Sequence, residues 1–287
     1  MGTKQFRVAS TSSKPLAGST RIRAEELSTG YGEKAISDSV TVDIPAHGFT
    51  VIIGPNACGK STLLRTIARI QAPLGGSVLL DGKDVHRTKT RQLARRLGLL
   101  PQAAVVPERM IVRDLVARGR SPHQGIFNQW SKADHEAVIR AMELTRVTDL
   151  ADAGIDELSG GQRQRVWLAM VLAQDTETVL LDEPTTFLDL AHQMELLELC
   201  KDLYTAQGRT VVAVLHDLNQ AARFGTHLIA MKSGEILASG TPEEVITEGT
   251  MREVFGLDAL VMPDPVTGSP LVIPRGRTLR SGTLPVG

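Results

Sequence analysis

The chain is short of several things, and each shortage narrows what it can be. Its 287 residues include two cysteines, Cys58 and Cys200, too few for a disulfide framework and in keeping with a reducing, cytoplasmic setting. It has no excess of either charge: 32 Lys and Arg balance 32 Asp and Glu. It therefore lacks the basic field of a nucleic-acid binder, and no nucleic-acid partner is expected. Apolar runs such as Val211–Leu215 fall far short of the ~18 residues that cross a bilayer. Residues 1–20 are rich in Ser, Thr, Lys and Gly but have no apolar core of the kind a secretory signal needs. Phe6 breaks the myristoylation pattern begun by Gly2, so this stretch is expected to be a disordered leader. Internal repeats and low-complexity core segments are also missing. With 42% hydrophobic and 22% charged residues, the chain has the material for one large globular domain with a sub-domain.

What is present begins at Gly54-Pro55-Asn56-Ala57-Cys58-Gly59-Lys60-Ser61, which fits the phosphate-loop pattern G-x-x-x-x-G-K-[ST]. The apolar run Thr50–Ile53 leads into it, and Ser61-Thr62-Leu63-Leu64 opens a helical segment, the strand-loop-helix setting the pattern requires. Backbone N–H groups of such a loop converge with a helix N-terminus on a polyphosphate. Lys60 is then expected to reach the β- and γ-phosphates of ATP, and the Ser61 hydroxyl to bind Mg²⁺. Cys58, beside the mouth of that helix, is expected to be a reactive thiol.

Along the chain, Arg21–Asp43 and Ser77–Gly82 carry strand patterns broken by turn signals, which predicts a small antiparallel sheet beside the nucleotide strand. Arg96–Leu100 reads as another strand, stopping at Pro101-Gln102. From Val112 to Asp156 the pattern is helical, with a capping-box start at Ser131 and an apolar pair at Val138 and Met142. The runs Thr178–Asp182 and Thr210–His216 flank a helix near Leu190–Tyr204, which predicts a parallel sheet covered on both faces. A hairpin at Gly234, a capped helix from Thr241 and a Pro-rich hairpin close the pattern before a polar tail.

Asp182-Glu183 ends an apolar strand, placing two carboxylates where open parallel sheets bind ligands. Asp182 is expected in the Mg²⁺ shell, with Glu183 as the base that polarises the attacking water. Leu158-Ser159-Gly160-Gly161-Gln162 precedes the apolar helix Val166–Ala173 and reads as a second phosphate site. Chemistry alone leaves open whether the two glycine elements hold one ATP or two. His86, His123, His135, His192 and His227 show no metal-ligand spacing.

These motifs together resemble the ATP-binding cassette family, whose signature is the pentapeptide 158–162, and the resemblance runs from about Arg21 to Pro274. It implies an α/β fold: a P-loop NTPase with a RecA-like parallel sheet core, an antiparallel β sub-domain and a helical sub-domain inserted at about 103–157. The leader 1–20 and the tail 275–287 have no role in that pattern. The family pairs two cassettes head to tail, so Ser159, Gly160, Gly161 and Gln162 would meet the ATP held by the other chain's phosphate loop. By the same match Gln102 joins Mg²⁺ to the helical sub-domain, His216 holds the γ-phosphate, Asp189 touches the opposite protomer, and Tyr31 stacks on adenine.

Gly54–Gly59, Gly119–His123 and Pro184–Gln193 are similar to bacterial ferric-siderophore importers, whose relatives import haem and vitamin B12. The resemblance implies an ATPase, with a second ATPase subunit and membrane permease subunits as partners. A substrate-binding protein would be reached indirectly, and the site of work would be the cytoplasmic face of the inner membrane. Soluble cassettes of assembly pathways differ in carrying tandem cassettes or long coiled-coil insertions. A small-molecule phosphotransferase would not need the signature pentapeptide.

Overall fold

The computed structural model describes residues 19–32, 34–102, 110–125, 130–186 and 188–276. Most of the leader and of the polar tail, with Phe187, lie outside these residues, as do 103–109 and 126–129 of the helical segment. The strands are β1 (Thr20–Tyr31), β2 (Lys34–Pro45), β3 (Phe49–Ile53), β4 (Gly75–Leu80), β5 (Lys83–Asp84), β6 (Leu97–Leu100), β7 (Thr178–Asp182), β8 (Thr210–Val214), β9 (His227–Lys232), β10 (Glu235–Gly240), β11 (Ala259–Pro263) and β12 (Pro270–Pro274). The α-helices are α1 (Lys60–Ile67), α2 (Thr90–Ala94), α3 (Val112–Arg118), α4 (Lys132–Leu144), α5 (Gly160–Ala173), α6 (Leu190–Thr205), α7 (Leu218–Phe224), α8 (Pro242–Val245) and α9 (Glu248–Phe255).

Three sheets form: β2-β1-β4-β5, β10-β9-β3-β8-β7-β6 and the hairpin β11-β12. In the six-stranded sheet, β9, β3, β8, β7 and β6 are mutually parallel, and only the edge strand β10 runs antiparallel. The residues explain the arrangement. Strands β3, β7 and β8 are buried at every position, as a parallel sheet covered on both faces requires. Their side chains alternate between two cores. Phe49, Val51, Ile53, Val179, Leu181, Val211 and Ala213 pack into the core that contains α5, α6 and α7. Ile52, Leu180, Val212 and Val214 enter the other, with Leu63, Leu64 and Ile67 of α1 and the antiparallel sheet.

Between β6 and β7 the chain forms the helical layer. The start of α4 is set by a capping box in which the Ser131 side chain accepts from Asp134 N and Asp134 answers to the Ser131 backbone. Val138 and Met142 are buried, one turn apart. α5 packs on both α3 and α4, so the layer continues beyond residue 157 into the helix that opens at Gly160.

The parallel order fixes where function can sit. Strand register sets Ile52 of β3 and Asp182 of β7 both beside Val214 of β8, and Leu100 of β6 beside Leu181. Strands β3, β6, β7 and β8 therefore finish at one edge, and the residues just past each strand gather there.

Candidate active site

The segment after β3 turns sharply at Gly54, whose φ is +155°. A Cβ there would stand 2.2 Å from the Met231 carbonyl oxygen, so only glycine lets the loop pass so close to β9. The loop then delivers Lys60 as the first residue of α1. Its side chain is 4% exposed, and its ammonium donates to the Gly54 and Pro55 carbonyls at 2.9 and 2.8 Å. A buried cation held by two neutral carbonyls, with the Cys58 sulfur at 4.0 Å, is a strong attractor for an anion.

Asn56, Ala57, Gly59, Ser61 and Thr62 join Lys60 in lining a cavity of about 450 Å³. Its other walls are Tyr31, Ile36, Gln102, Glu183 and His216. Residues from five separate parts of the sequence thus meet at the common edge of the strands. Tyr31, the last residue of β1, is 55% exposed at the rim. Cys58 departs from expectation. Its thiol is buried at 5% exposure, directed behind the loop, where a Cβ on Gly54 would come within 2.8 Å of the sulfur. The loop's own backbone covers it, so the open thiol expected from its place beside a helix is not formed.

The two carboxylates after β7 differ in environment. Asp182 is fully buried, and its Oδ2 accepts from Arg65 Nε at 3.3 Å and lies 3.2 Å from Arg65 Nη2. Its Oδ1 is buried with no hydrogen-bond partner. Glu183 follows with φ +54°, a left-handed backbone rare for a residue with a side chain. Its Oε2 accepts from Gln102 Nε2 at 2.7 Å, and its Oε1 lies 2.9 Å from His216 Nε2. His216 stands two residues beyond the end of β8 rather than within it, on the turn leading to α7.

A buried carboxylate oxygen without a partner fits a hard cation. Among the described residues no three His, Cys, Asp or Glu side chains cluster as a metal site.

Not every predicted site residue joins this cavity. Ser159 caps α5, accepting from Gln162 N at 3.2 Å while Gln162 Oε1 accepts from Ser159 N at 2.9 Å. Ser159, Gly160, Gly161 and Gln162 lie outside the cavity's lining. Asp189 lies outside it as well, capping α6, where its carboxylate accepts from His192 N at 2.9 Å and lies 2.7 Å from His192 Nδ1. The bond from the His192 backbone, aided by the ring, holds the Asp189 carboxyl below the usual range.

Sequence reasoning missed Arg65, the partner of Asp182. The available signal was one cation in the middle of Thr62–Ile67, an otherwise uncharged stretch of α1 whose neighbours are buried. It also missed three glutamines, Gln164, Gln193 and Gln220, which hold the segment after Glu183.

Comparison with known proteins shows the family. Residues 37–186 match the family model described as ABC transporter. The ferric enterobactin transport ATP-binding protein FepC of Escherichia coli (strain K12) is 52% identical over 261 residues, which is 91% of this chain and 96% of the relative. The probable siderophore transport system ATP-binding protein YusV of Bacillus subtilis (strain 168) is 50% identical over 260 residues, 91% of this chain and 94% of its own length. Among solved structures, a metal-chelate type ABC transporter in an inward-facing conformation superposes with a TM-score of 0.77 at 27% identity, covering 91% of this chain and 100% of the other.

Proposed function

The chain belongs to the ABC transporter family as an ATPase subunit, and from that premise we propose that it powers uptake of ferric siderophores through a membrane permease. The observation that carries the ATPase reading is the convergence of Lys60, Gln102, Glu183 and His216 on one cavity. The substrate reading rests on two relatives of 50 to 52% identity, named for ferric enterobactin and siderophore transport, that match over nine-tenths of the chain.

We assign the roles as follows. Tyr31 stacks on adenine at the cavity rim. The loop 54–62 wraps the phosphates, with Lys60 exchanging its loop carbonyls for phosphate oxygens. Ser61, Gln102 and Asp182 would hold Mg²⁺, which when bound neutralises charge on the β- and γ-phosphate oxygens. Gln102 already gives its amide nitrogen to Glu183, leaving its oxygen for a cation. Both oxygens of Glu183 are engaged, by Gln102 and His216. When His216 turns to the γ-phosphate, Glu183 Oε1 is freed to accept a proton from water. The water oxygen bonds to the γ-phosphorus, and the bond to the bridging oxygen breaks to release ADP.

One chain does not complete this site. Ser159 to Gln162 lie outside their own chain's cavity, at the exposed N-terminus of a 14-residue helix suited to an anion. We infer that they meet the ATP of a second copy, with Asp189 at the same contact, as the family's head-to-tail pairing implies. We take the ATPase domain as 21–274, with the helical sub-domain inserted at about 103–157 and packed on α5, which extends its layer. No helix among the described residues is long and apolar enough to cross a membrane, and the chain works peripherally, docked on its permease at the cytoplasmic face.

The test is Glu183→Gln. ATP binding should persist while turnover falls by ~10²-fold or more, and ATP should then hold two chains together. Cells lacking the protein should lose ATP-dependent uptake of a ferric chelate, recover it with the wild-type chain and not with Glu183→Gln, and keep cobalamin uptake. Near-normal turnover of the variant would place the base elsewhere. Loss of haem or cobalamin uptake with chelate uptake intact would overturn the substrate.

A further inference from the structure

Residues 184–186 and 188, between Glu183 and Asp189, form neither helix nor strand, and their carbonyls need donors. Three side-chain amides supply them. Gln164 of α5 donates to the Pro184 carbonyl at 3.2 Å. Gln193 of α6 donates to the Thr185 and Leu188 carbonyls at 3.3 and 3.0 Å. Gln193 is held in turn by Gln220 of α7, whose Nε2 donates to Gln193 Oε1 at 2.8 Å.

The orientation is determined by the partners. Two carbonyls can be met only by the Gln193 nitrogen, so its oxygen must face Gln220, and Gln220 must present its nitrogen. Gln220 is 7% exposed, so its amide meets Gln193 almost out of contact with water. Its backbone is fixed as well. Asp217, the residue after His216, accepts from Asn219 N at 2.8 Å and from Gln220 N at 2.9 Å.

These bonds form a continuous path. It starts at His216, 2.9 Å from Glu183, passes through the cap at Asp217 to Gln220, crosses to Gln193, and ends on the backbone that presents Asp189. We propose that Gln193 and Gln220 are positioning residues that set the Asp189 segment for contact with a second chain according to where His216 stands. This rests on the reading that two chains share each ATP. Movement of His216 toward a γ-phosphate rotates the start of α7. Gln220 then pulls on an amide whose other end grips both sides of the loop. Neither glutamine lines the nucleotide cavity, so their effect is on assembly and not on the binding of ATP to one chain.

The experiment uses the full chain carrying Glu183→Gln, with ATP-dependent dimerisation followed by analytical ultracentrifugation and nucleotide affinity by titration at a concentration where the chain is monomeric. Gln193→Met and Gln220→Met keep an unbranched side chain of similar length and remove the amide. Each should raise the ATP concentration for half-dimerisation by about tenfold, the effect of losing one well-placed hydrogen bond, with monomer affinity unchanged. Combined, they should cost no more than the worse single change, since both cut one path. Unaltered dimerisation, or two losses that multiply, would overturn the proposal. If Gln193→Met does not fold, Gln220→Met decides alone, because it leaves every bond to the loop carbonyls in place. A parent that stays monomeric with ATP overturns the two-chain reading and this inference with it.

Discussion

At the scale of single residues, chemistry in the phosphate loop depends on what the backbone hides. Cys58 Sγ lies 4.0 Å from the Lys60 ammonium, yet the thiol is buried and no reagent has a direct route to it. Cys200 is fully buried in α6, and burial pushes its thiol up to about 12, so it is not a thiolate near neutral pH. Both thiols should therefore label slowly in the folded protein and completely after denaturation, and a colorimetric thiol titration in both states checks this. Fast labelling of Cys58 in the native chain would mean the loop opens far more than its packing allows. Identity and position of the loop residues were legible from sequence. The direction of one side chain was not, because it depends on how closely Gly54 approaches Met231 of β9, a strand 177 positions away.

At the scale of elements, the stretch Gly119–His123 shows what resemblance leaves untold. It marks the chain as similar to chelate importers, while its chemistry here is fastening. Arg120 donates to Asp134 at 2.8 Å and to the Ala173 carbonyl at 2.8 Å, with both charged side chains buried. His123 Nε2 lies 2.8 Å from the Gln174 carbonyl oxygen, and the Pro122 carbonyl accepts from Arg91 and Arg95. One short loop thus joins α2, α4 and the end of α5. The Ser131 hydroxyl first, then Arg120, hold Asp134 down to about 2. A lowered carboxylate stabilises the fold fully above its unfolded value of about 4 and progressively less as pH falls toward 2. Arg120→Met should cost ~1.5 to 3 kcal/mol at neutral pH by removing a charge-assisted hydrogen bond from a buried carboxylate that keeps its bonds to Ser131, and the gap to wild type should narrow below pH 4. Urea unfolding at pH 7 and pH 3 measures both. The strands were legible because β3, β7 and β8 are continuous apolar runs, and α4 because Ser131 and Asp134 form a readable cap. The division of the described residues of 112–157 into α3, α4 and two single turns at Thr148–Leu150 and Ile155–Glu157 was not legible. Apart from the capped start of α4, the helix ends there carry no local signal that marks them.

At the scale of the whole molecule, the separation of Ser159 from its own cavity makes a prediction about mixtures. A chain with Lys60→Ala has a dead loop and an intact signature, and a chain with Ser159→Arg has the reverse. Each alone should be inactive. Mixed in equal amounts, half the pairs contain one of each, and each such pair keeps one of its two composite sites, so ATPase activity should return to about a quarter of wild type if the sites act independently. An equal mixture that stays inactive would mean each chain completes its own site. The strand order β10-β9-β3-β8-β7-β6 was beyond sequence reasoning because periodicity reports burial and not neighbours, and the meeting of Gln102, Glu183 and His216 follows from that order alone. Where the two larger sheets meet the phosphate loop, the β9–β10 turn contributes Gly234, whose N–H donates to the Cys58 carbonyl at 3.0 Å. A Cβ at this glycine would stand 1.9 Å from the Ile36 carbonyl oxygen. That single amide is thus a built-in listening post. In a glycine-labelled sample its resonance and its exchange with deuterated water report the state of the nucleotide loop from a residue outside the cavity's lining.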